Sequence, residues 1–465
     1  MKKKSLILSL LLLLLYPTIS FSKELADVKK INDYIQKNKD LKDASISVII
    51  KDLDTKKVLF DLNSQKLMTP ASNIKILTTF LALEKLGKNY TFKTDFATDG
   101  YTNEENGNIN IKNLYLKMTG DPTFKSSDLK NMISKLKETG LKEIQGDIFI
   151  DKSIFDNIIY GPGWMWDDLE DCDDSPISNI YMDDNCLNVS LKLKNNNEFE
   201  IKTNNTINID TSKLEIDEKN DEIINSELKG NKIYFSGKIN KKTFFEKENS
   251  IKDNDSYLIS VLEQLIKENF VFSGKIQTSL EKNDNIISLV NKESEPLYKI
   301  LKRFNEESHN LTGELLLKTI AFNEDKKIGS TKKGSDILSK HIGRLFNESN
   351  FNIVDGSGLS RYNLITPNLI IKVLEYLYQN PNYRDIVYEA FPQGGLEGTL
   401  RNRLKKLKNY KVFAKSGSMT GVNCLSGFLV NDKKNTLAFS LMINNTNLKG
   451  QELRDIQDKI LELIE

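Results

Sequence analysis

Three short strings contain residues that could together catalyse acyl transfer: Ser72-Asn-Ile-Lys75, Ser308-His-Asn310 and Lys415-Ser-Gly417. A serine hydroxyl is a weak nucleophile at neutral pH, so a neighbouring base has to take its proton during attack. Lysine can be that base when burial or a nearby cation lowers its pKa. The strings therefore predict a reaction through a serine ester, with Lys75 as the base and Lys415 as the nearby cation.

The Ser-x-x-Lys spacing is not specific by itself. Six further matches begin at Ser20, Ser127, Ser134, Ser226, Ser279 and Ser330. Ser72 differs because Thr69-Pro70 interrupts the chain before it, and apolar residues at helical spacing follow it. This pattern predicts that Ser72 lies at the start of a helix, with Lys75 one turn further on the same face.

Other catalytic and metal sites have little support. The chain has two histidines, His309 and His341, and lacks both a Gly-x-Ser-x-Gly elbow and a His-Glu-x-x-His motif. We interpret His309 as a spacer within the second string and His341 as structural. Without a Cys-x-x-Cys pair or a His-rich set, we expect neither a metal nor a cofactor.

Composition limits the classes of partner. Among 465 residues, Lys+Arg number 66 and Asp+Glu number 65. This balance gives no reason to expect a nucleic acid as partner. Hydrophobic residues make up 39% of the chain, as in an ordinary soluble protein of two or three domains.

The N-terminus has the pattern of a signal peptide over residues 1–22. Lys2, Lys3 and Lys4 precede an apolar run from Leu6 to Tyr16, and Ser20-Phe-Ser22 offers small residues for cleavage. The run is too short to span a bilayer comfortably, and no later run reaches transmembrane length. We therefore expect an exported protein, periplasmic or otherwise outside the cytoplasmic membrane, without a transmembrane anchor.

The arrangement of elements predicts an α+β domain built from both chain ends. A hairpin is expected from Ala44 to Leu62, strands at Val412–Gly417, Cys424–Val430 and Thr436–Asn444, and a helix from Gln451. The expected division is a catalytic domain of residues 23–90 and 283–465. Residues 91–282 form a mostly β insertion of two subdomains.

The sequence resembles the class C low-molecular-mass penicillin-binding proteins, the DacB-like D-alanyl-D-alanine carboxypeptidase/endopeptidase family. Besides the three catalytic strings, the resemblance rests on Leu114-Tyr-Leu-Lys117, Gly120-Asp-Pro122, Gly146-Asp-Ile-Phe-Ile-Asp151, Gly163-Trp-Met-Trp-Asp-Asp168, Asp355-Gly-Ser-Gly-Leu-Ser-Arg361 and Gly398-Thr-Leu400. It implies a penicillin-recognising serine transpeptidase/β-lactamase-like fold, in which helices cover an antiparallel sheet and a large insertion separates the first two strings.

The resemblance also assigns roles. Ser72 would be acylated, Lys75 would be its base, Ser308 would relay a proton and Asn310 would hold the substrate amide. Lys415 and Ser416, which replaces the usual Thr, would bind the terminal carboxylate, and Gly417 would let the substrate lie close. The N–H groups of Ser72 and Ser418 would form an oxyanion hole.

Two further features follow from the same resemblance. Cys172 and Cys186 lie close enough in sequence to form a disulfide bond in an oxidising compartment, but their spacing alone does not establish the bond. Some members of the family carry a matching cysteine pair, which implies that the two are bonded here. Cys424 would remain a buried thiol. A pocket for the third residue of the peptide, a diamino acid, would use Trp164, Asp167, Arg361 and Met419, with Asp168 as an alternative to Asp167.

The catalytic strings predict acyl transfer through Ser72, and the resemblance implies a serine D,D-peptidase that acts on peptidoglycan stem peptides and is acylated by β-lactam antibiotics. It leaves open whether the terminal D-alanine is removed, D-Ala cross-links are cleaved, or both. A serine β-lactamase and a non-catalytic module that binds peptidoglycan or β-lactams are the alternatives. The large insertion argues against the first of these, and the intact catalytic residues argue against the second.

Overall fold

A computed structural model describes residues 29–105, 108–169, 172–194, 198–203, 207–217, 223–229, 232–239, 244–281 and 283–464. The predicted signal peptide, residues 1–22, lies outside the described residues. Within these ranges, no helix has both the length and the apolar character needed to cross a membrane.

The helices are α1 (residues 29–37), α2 (Ile74–Lys85), α3 (Ser126–Glu138), α4 (Asn254–Asn269), α5 (Leu297–Glu306), α6 (Asn310–Asp325), α7 (Thr331–Phe346), α8 (Pro367–Gln379), α9 (Arg384–Ala390) and α10 (Gly450–Glu462). The strands are β1 (Ser45–Asp52), β2 (Val58–Leu62), β3 (Lys93–Thr98), β4 (Tyr101–Glu105), β5 (Asn108–Ile111), β6 (Leu114–Met118), β7 (Leu141–Ile144), β8 (Ile148–Asp151), β9 (Cys186–Leu193), β10 (Phe199–Thr203), β11 (Asn208–Ile216), β12 (Ile223–Lys229), β13 (Lys232–Ile239), β14 (Phe244–Ser250), β15 (Val271–Phe272), β16 (Ile276–Ser279), β17 (Ile287–Glu293), β18 (Tyr410–Met419), β19 (Val422–Asn431) and β20 (Thr436–Asn444).

A five-stranded antiparallel sheet joins the two ends of the chain in the order β18-β19-β20-β1-β2. Alternate residues of β1 face opposite sides, as the pleat of a strand requires. Ile49 packs into a core with α2 and α5–α9, whereas Val48 and Ile50 pack with α1 and α10. Helices therefore cover both faces of the sheet, and the predicted α+β fold is confirmed.

In the described part of the chain between α2 and α5, strands β3–β17 form four further sheets, and α3 and α4 accompany them. One apolar core is shared by α3, α4 and strands of these sheets. In this inserted region, strand β17 pairs with β3. The predicted limits of the region, residues 91–282, stay a prediction. Its predicted division into two subdomains stays a prediction.

The inserted region rests directly on α6, the helix that follows the second catalytic string. Phe155, Ile177 and Tyr181 of the inserted region form a buried apolar cluster with Leu311 and Leu315 of α6. This contact matters because a shift of the inserted region would be transmitted to the residues at the start of α6.

A disulfide bond joins Cys172 to Cys186, with their Cα atoms 5.3 Å apart. It links a short 3₁₀ turn, Cys172–Asp174, to the start of β9. Cys424 is a buried free thiol on β19, and burial raises its pKa. Among the described residues, one group with possible metal-ligand spacing was found, and it consists of the two bonded cysteines and Glu248.

Thiol mapping tests this assignment. In secreted protein digested without reduction, Cys172 and Cys186 should be recovered in one cross-linked pair of peptides. Cys424 should resist alkylation in the native protein because it is inaccessible, and should react fully after unfolding. Mass spectrometry measures both; three thiols that react in the unfolded, unreduced chain would contradict the disulfide.

Candidate active site

Ser72 lies in a 3₁₀ turn, Ala71–Asn73, which continues directly into α2 at Ile74. Two neighbours fix this turn. Asn73 donates a side-chain hydrogen bond of 3.1 Å to the carbonyl oxygen of Lys415 on β18. A Cβ atom at Gly358 would lie only 2.0 Å from the carbonyl oxygen of Ala71, so glycine is required for the loop 355–358 to approach. Ser72 is thus held at a helix start, as its sequence predicts.

Lys75 is fully buried, and its Nζ contacts three oxygen atoms. The distances are 2.7 Å to Asn310 Oδ1, 2.7 Å to the Ser357 carbonyl oxygen and 3.0 Å to Ser72 Oγ. The first two oxygens are acceptors and take two N–H groups. In a neutral amine, the remaining lone pair is then directed towards the Ser72 hydroxyl. This arrangement suits removal of the hydroxyl proton.

Burial lowers the pKa of Lys75 to about 8, although the negative charges of Asp355 and Glu314 act in the opposite direction. Desolvation disfavours the charged form of an amine, and two nearby carboxylates restore part of its basicity. A pKa near the working pH provides a useful fraction of neutral lysine without making it a poor proton acceptor.

Two buried carboxylates hold the loop that contacts Lys75. One oxygen of Glu314 accepts hydrogen bonds from the N–H groups of Gly356 and Ser357 at 2.9 and 3.0 Å. Asp355 accepts bonds from the N–H groups of Gly358 and Ser360. Burial, with the charge of Asp355, raises the pKa of Glu314 to about 7.

The sequence reasoning missed Glu314. A signal was present, since this carboxylate stands on α6 next to the apolar run Leu315-Leu-Leu317 and is completely buried there. A charged residue at a buried helix position needs specific partners, and here these are backbone and hydroxyl groups.

The second and third strings meet at Lys415. Its Nζ donates to Ser308 Oγ at 2.9 Å and to the carbonyl oxygen of Ser416 at 2.7 Å. Burial lowers the pKa of Lys415, and the positive charge of Lys75 lowers it further. Ser308 itself has φ 61°, a left-handed conformation that costs free energy and persists only where the surroundings enforce it.

Strand β18 is the edge strand of the five-stranded sheet, and a short bridge from Gln393 to Phe413 covers part of it. A Cβ atom at Gly417 would lie 2.8 Å from the backbone nitrogen of Ser72, so any larger residue would push the strand away. The Ser416 hydroxyl contacts Thr399 Oγ1 at 2.9 Å, and Ser418 is exposed. An edge strand can bind an extended peptide as an additional strand.

A cleft of about 770 Å³ surrounds these residues. It is lined by Ser72, Asp168, Asp173, Asp174, Glu307, Ser308, Asn310, Gly358, Leu359, Arg361, Thr399, Asn402, Arg403, Ser416, Gly417, Ser418, Met419, Thr420, Gln451 and Arg454. Residues of all three strings thus face one cavity. No pattern in the sequence predicted its far walls, such as Asn402 and Arg454, because they come from a distant loop and from α10.

The residues of the predicted side-chain pocket lie in different places, and the pocket itself stays a prediction. Arg361 and Met419 line the cleft, and Asp168 lines it in place of Asp167. Trp164 is absent from the lining; its ring packs against the Phe155 cluster and its Nε1 donates to Asp355 Oδ2 at 3.2 Å. The adjacent residues Asp167 and Asp168 could not be distinguished from the sequence Trp164-Met-Trp-Asp-Asp168 alone.

Both histidines have structural contacts. His309 is the N-cap of α6, since its Nδ1 accepts a hydrogen bond from the backbone nitrogen of Thr312. Burial lowers the pKa of His309 to about 4, so the ring is neutral at neutral pH. His341 contacts Glu84 at 3.3 Å and the Phe80 ring. His309 is therefore a helix cap as well as a spacer.

Residues 27–465 match the D-Ala-D-Ala carboxypeptidase 3 (S13) family. The chain belongs to this family. The match covers the inserted region and also the two chain segments, before and after it, that form the five-stranded sheet and its helices. It confirms the resemblance found in the sequence.

Several members of the family are similar to this chain over nearly its whole length. It is 28% identical over 437 residues to D-alanyl-D-alanine carboxypeptidase DacB of Haemophilus influenzae, covering 90% of this chain and 88% of the relative. The crystal structure of penicillin binding protein 4 (dacB) from H. influenzae has a TM-score of 0.79 at 27% identity, covering 93% and 99% of the two chains. The same protein complexed with a β-lactam has a TM-score of 0.74 at 25% identity, with the same coverage.

Replacing Lys75 with methionine should slow acylation of Ser72 by at least ~10²-fold, because the general base is lost while the buried volume is kept. Lys318→Met is the matched control. Lys318 lies on α6 and is fully buried like Lys75, but its Nζ contacts Asp156 and the Ile158 carbonyl oxygen and not Ser72. Stopped-flow labelling of folded protein measures both variants. Equal acylation rates in wild type and Lys75→Met would exclude Lys75 as the base.

Proposed function

We propose that this protein is an exported serine D,D-peptidase that acts on peptidoglycan stem peptides through an acyl-enzyme on Ser72. The observation that carries the proposal is the position of Lys75 Nζ, held by two carbonyl-type oxygens and 3.0 Å from Ser72 Oγ. Membership of the D-Ala-D-Ala carboxypeptidase 3 (S13) family supports the same substrate class.

Acylation begins when Ser72 Oγ attacks the carbonyl carbon that precedes the terminal D-residue. The new C–O bond forms as the hydroxyl proton passes to Lys75 Nζ. The negative charge on the carbonyl oxygen is stabilised by the N–H groups of Ser72 and Ser418, and a fixed donor of this kind contributes about 3–4 kcal/mol in acyl transfer. The terminal carboxylate lies against Ser416 and the positive charge of Lys415.

The C–N bond then breaks, and the leaving nitrogen needs a proton. Ser308 is suited to deliver it because its Oγ is hydrogen-bonded to Lys415 Nζ. Protonation of Lys75 during attack makes Lys415 more acidic, since the two positive charges repel. Lys415 replaces the proton that Ser308 gave away, and the proton on Lys75 passes back to Lys415, so that Lys75 is neutral again. A water molecule then attacks the Ser72 ester while Lys75 takes its proton. As the C–O bond breaks, this proton passes to Ser72 Oγ and the shortened peptide leaves.

The chemistry of the site is the same for two substrates. Removal of the terminal D-alanine and cleavage of a D-Ala cross-link both break a bond on the carbonyl side of a D-residue. A β-lactam would acylate Ser72 by the same attack, in line with the similar H. influenzae protein that was solved with a β-lactam bound. Export through the predicted signal peptide, residues 1–22, would bring the enzyme to its substrate.

Fluorescent penicillin distinguishes the proposed function from its alternatives. Stable labelling of Ser72 is the expected result for a penicillin-binding peptidase. Rapid loss of label with turnover would indicate a β-lactamase, and no labelling would indicate a binding module. Ser72→Ala should abolish labelling and release of D-alanine, whereas Ser127→Ala, at an exposed serine of another Ser-x-x-Lys match, should change neither.

Selectivity for the third peptide residue tests the assignment of the pocket. Asp168 would pair with the ammonium group of a diamino acid and Arg361 with its carboxylate, while Met419 contacts the aliphatic part. A charge-assisted bond contributes about 1.5–3 kcal/mol, so Asp168→Ala should reduce kcat/KM for a diamino peptide by about ten-fold or more. It should barely affect a peptide with alanine at that position.

Asp167→Ala is the neighbouring control and should leave both peptides almost unchanged, because Asp167 lies outside the cleft lining. Release of D-alanine from the two peptides provides the measurement. If Asp167→Ala had the larger effect, the assignment to Asp168 would be wrong, and if wild type cleaved both peptides equally, no such pocket would operate.

A further inference from the structure

A charged cluster joins the inserted region to the second catalytic string. At its centre is Asp184, which is three-quarters buried. One carboxylate oxygen accepts bonds from Tyr181 OH at 2.7 Å and Arg303 Nη2 at 2.9 Å, and the other pairs with Lys125. The first oxygen also lies 3.6 Å from His309 Nε2. The mechanism described above uses none of these groups.

The backbone that carries Asp184 is held in an unusual conformation. Asp183, Asp184 and Asn185 all have left-handed φ values, 56°, 60° and 50°. Consecutive residues of this kind are costly and persist only where contacts enforce them. Asp183 accepts bonds from the Ser126 backbone nitrogen and from Tyr257 OH, which anchors the turn within the inserted region. Asp184 is thereby left free to contact α5 and α6.

The hydrogen bond from Thr312 determines which ring nitrogen of His309 carries the proton. His309 Nδ1 accepts a hydrogen bond from the Thr312 backbone nitrogen, so it has no proton of its own. In the neutral ring the proton is therefore on Nε2, which lies 3.5 Å from Tyr181 OH and 3.6 Å from the Asp184 oxygen to which Tyr181 is bonded. The negative charge favours this tautomer, and only this tautomer can cap α6.

The cap acts on catalytic residues because of its position. Ser308 and Asn310 flank His309, and Ser308 is itself left-handed. Arg303 on α5 ties the same region to the inserted region a second time, through the carbonyl oxygen of Pro122 at 3.1 Å. A loosened cap would therefore shift the hydroxyl that contacts Lys415 and the amide that contacts Lys75.

We propose that Asp184 is a positioning residue: its carboxylate fixes the His309 ring as the cap of α6 and thereby holds Ser308 and Asn310 in place for acylation. The inserted region then contributes to catalysis through a charge contact with the second string, in addition to lining the cleft. This inference rests on the proposed function, because it concerns the same acylation of Ser72.

Asp184→Asn tests the charge alone, since asparagine has the same shape and tolerates a left-handed φ. We expect the second-order rate constant for acylation by a fluorescent penicillin to fall about ten-fold or more, as for other displacements of catalytic groups. Asp255→Asn is the matched control: Asp255 pairs with Lys152 at 2.6 Å, is similarly exposed and lies within the inserted region. Its acylation rate should stay within about two-fold of wild type.

A second background separates positioning from mere stability. In His309→Asn the side chain can still cap α6 but no longer extends to Asp184. Adding Asp184→Asn should then have little further effect on acylation. An equal loss in both backgrounds, or no loss on Asp184→Asn in wild type, would overturn the proposal. Failure of wild type to be labelled at all would instead contradict the proposed function.

Discussion

Burial of the Lys75 amine is the constraint on which the rest of the site depends. An amine in water at neutral pH is protonated and cannot act as a base, so Lys75 has to be desolvated. Desolvation without partners would be expensive, because a buried amine needs acceptors for its N–H groups. Asn310 and Ser357 supply them, and they come from α6 and from the loop 355–358. Three distant parts of the chain therefore have to converge on one atom.

That requirement accounts for several features that look unrelated along the chain. Glu314 holds the backbone of the loop 355–358, and Gly358 lets the loop approach the turn that carries Ser72. Gly417 lets the edge strand approach the same turn from the other side. The carboxylates that fasten the loop also raise the pKa of Lys75, against the lowering by burial. Packing and electrostatics are thus adjusted together around a single nitrogen.

The inserted region has more than one task. Asp168, Asp173 and Asp174 form an acidic wall of the cleft, and the disulfide bond at Cys172 joins this wall to the segment that carries Asp184. Apolar contacts through Tyr181 and Leu311 fasten the region to α6. The same short stretch of chain therefore shapes the cleft and contacts the helix that bears Asn310.

Local sequence patterns predicted the central sheet and the helix after Ser72, because turn residues and apolar periodicity act over short distances. The assembly of the three catalytic strings was predicted instead from their combined residue types and from the resemblance to a known family. The strand ending predicted at Gly417 was too short: β18 continues to Met419, since a glycine that permits close packing does not end a strand. Glu314, the choice of Asp168 over Asp167, and the contact of Asp184 with His309 depend on how remote loops pack. A pattern within one segment carries no information about such contacts.

The most direct test of the role of Lys75 is the pH dependence of Ser72 acylation, measured before steady state with a penicillin that does not titrate in this range. A neutral amine as base predicts a rate that rises with pH, levels off above the pKa of Lys75, about 8, and does not fall on deprotonation. Asn310→Asp would place a negative charge 2.7 Å from Lys75 Nζ and should move the rise to higher pH. A rate that is independent of pH, or a midpoint that stays the same in Asn310→Asp, would contradict the assignment of Lys75 as the base.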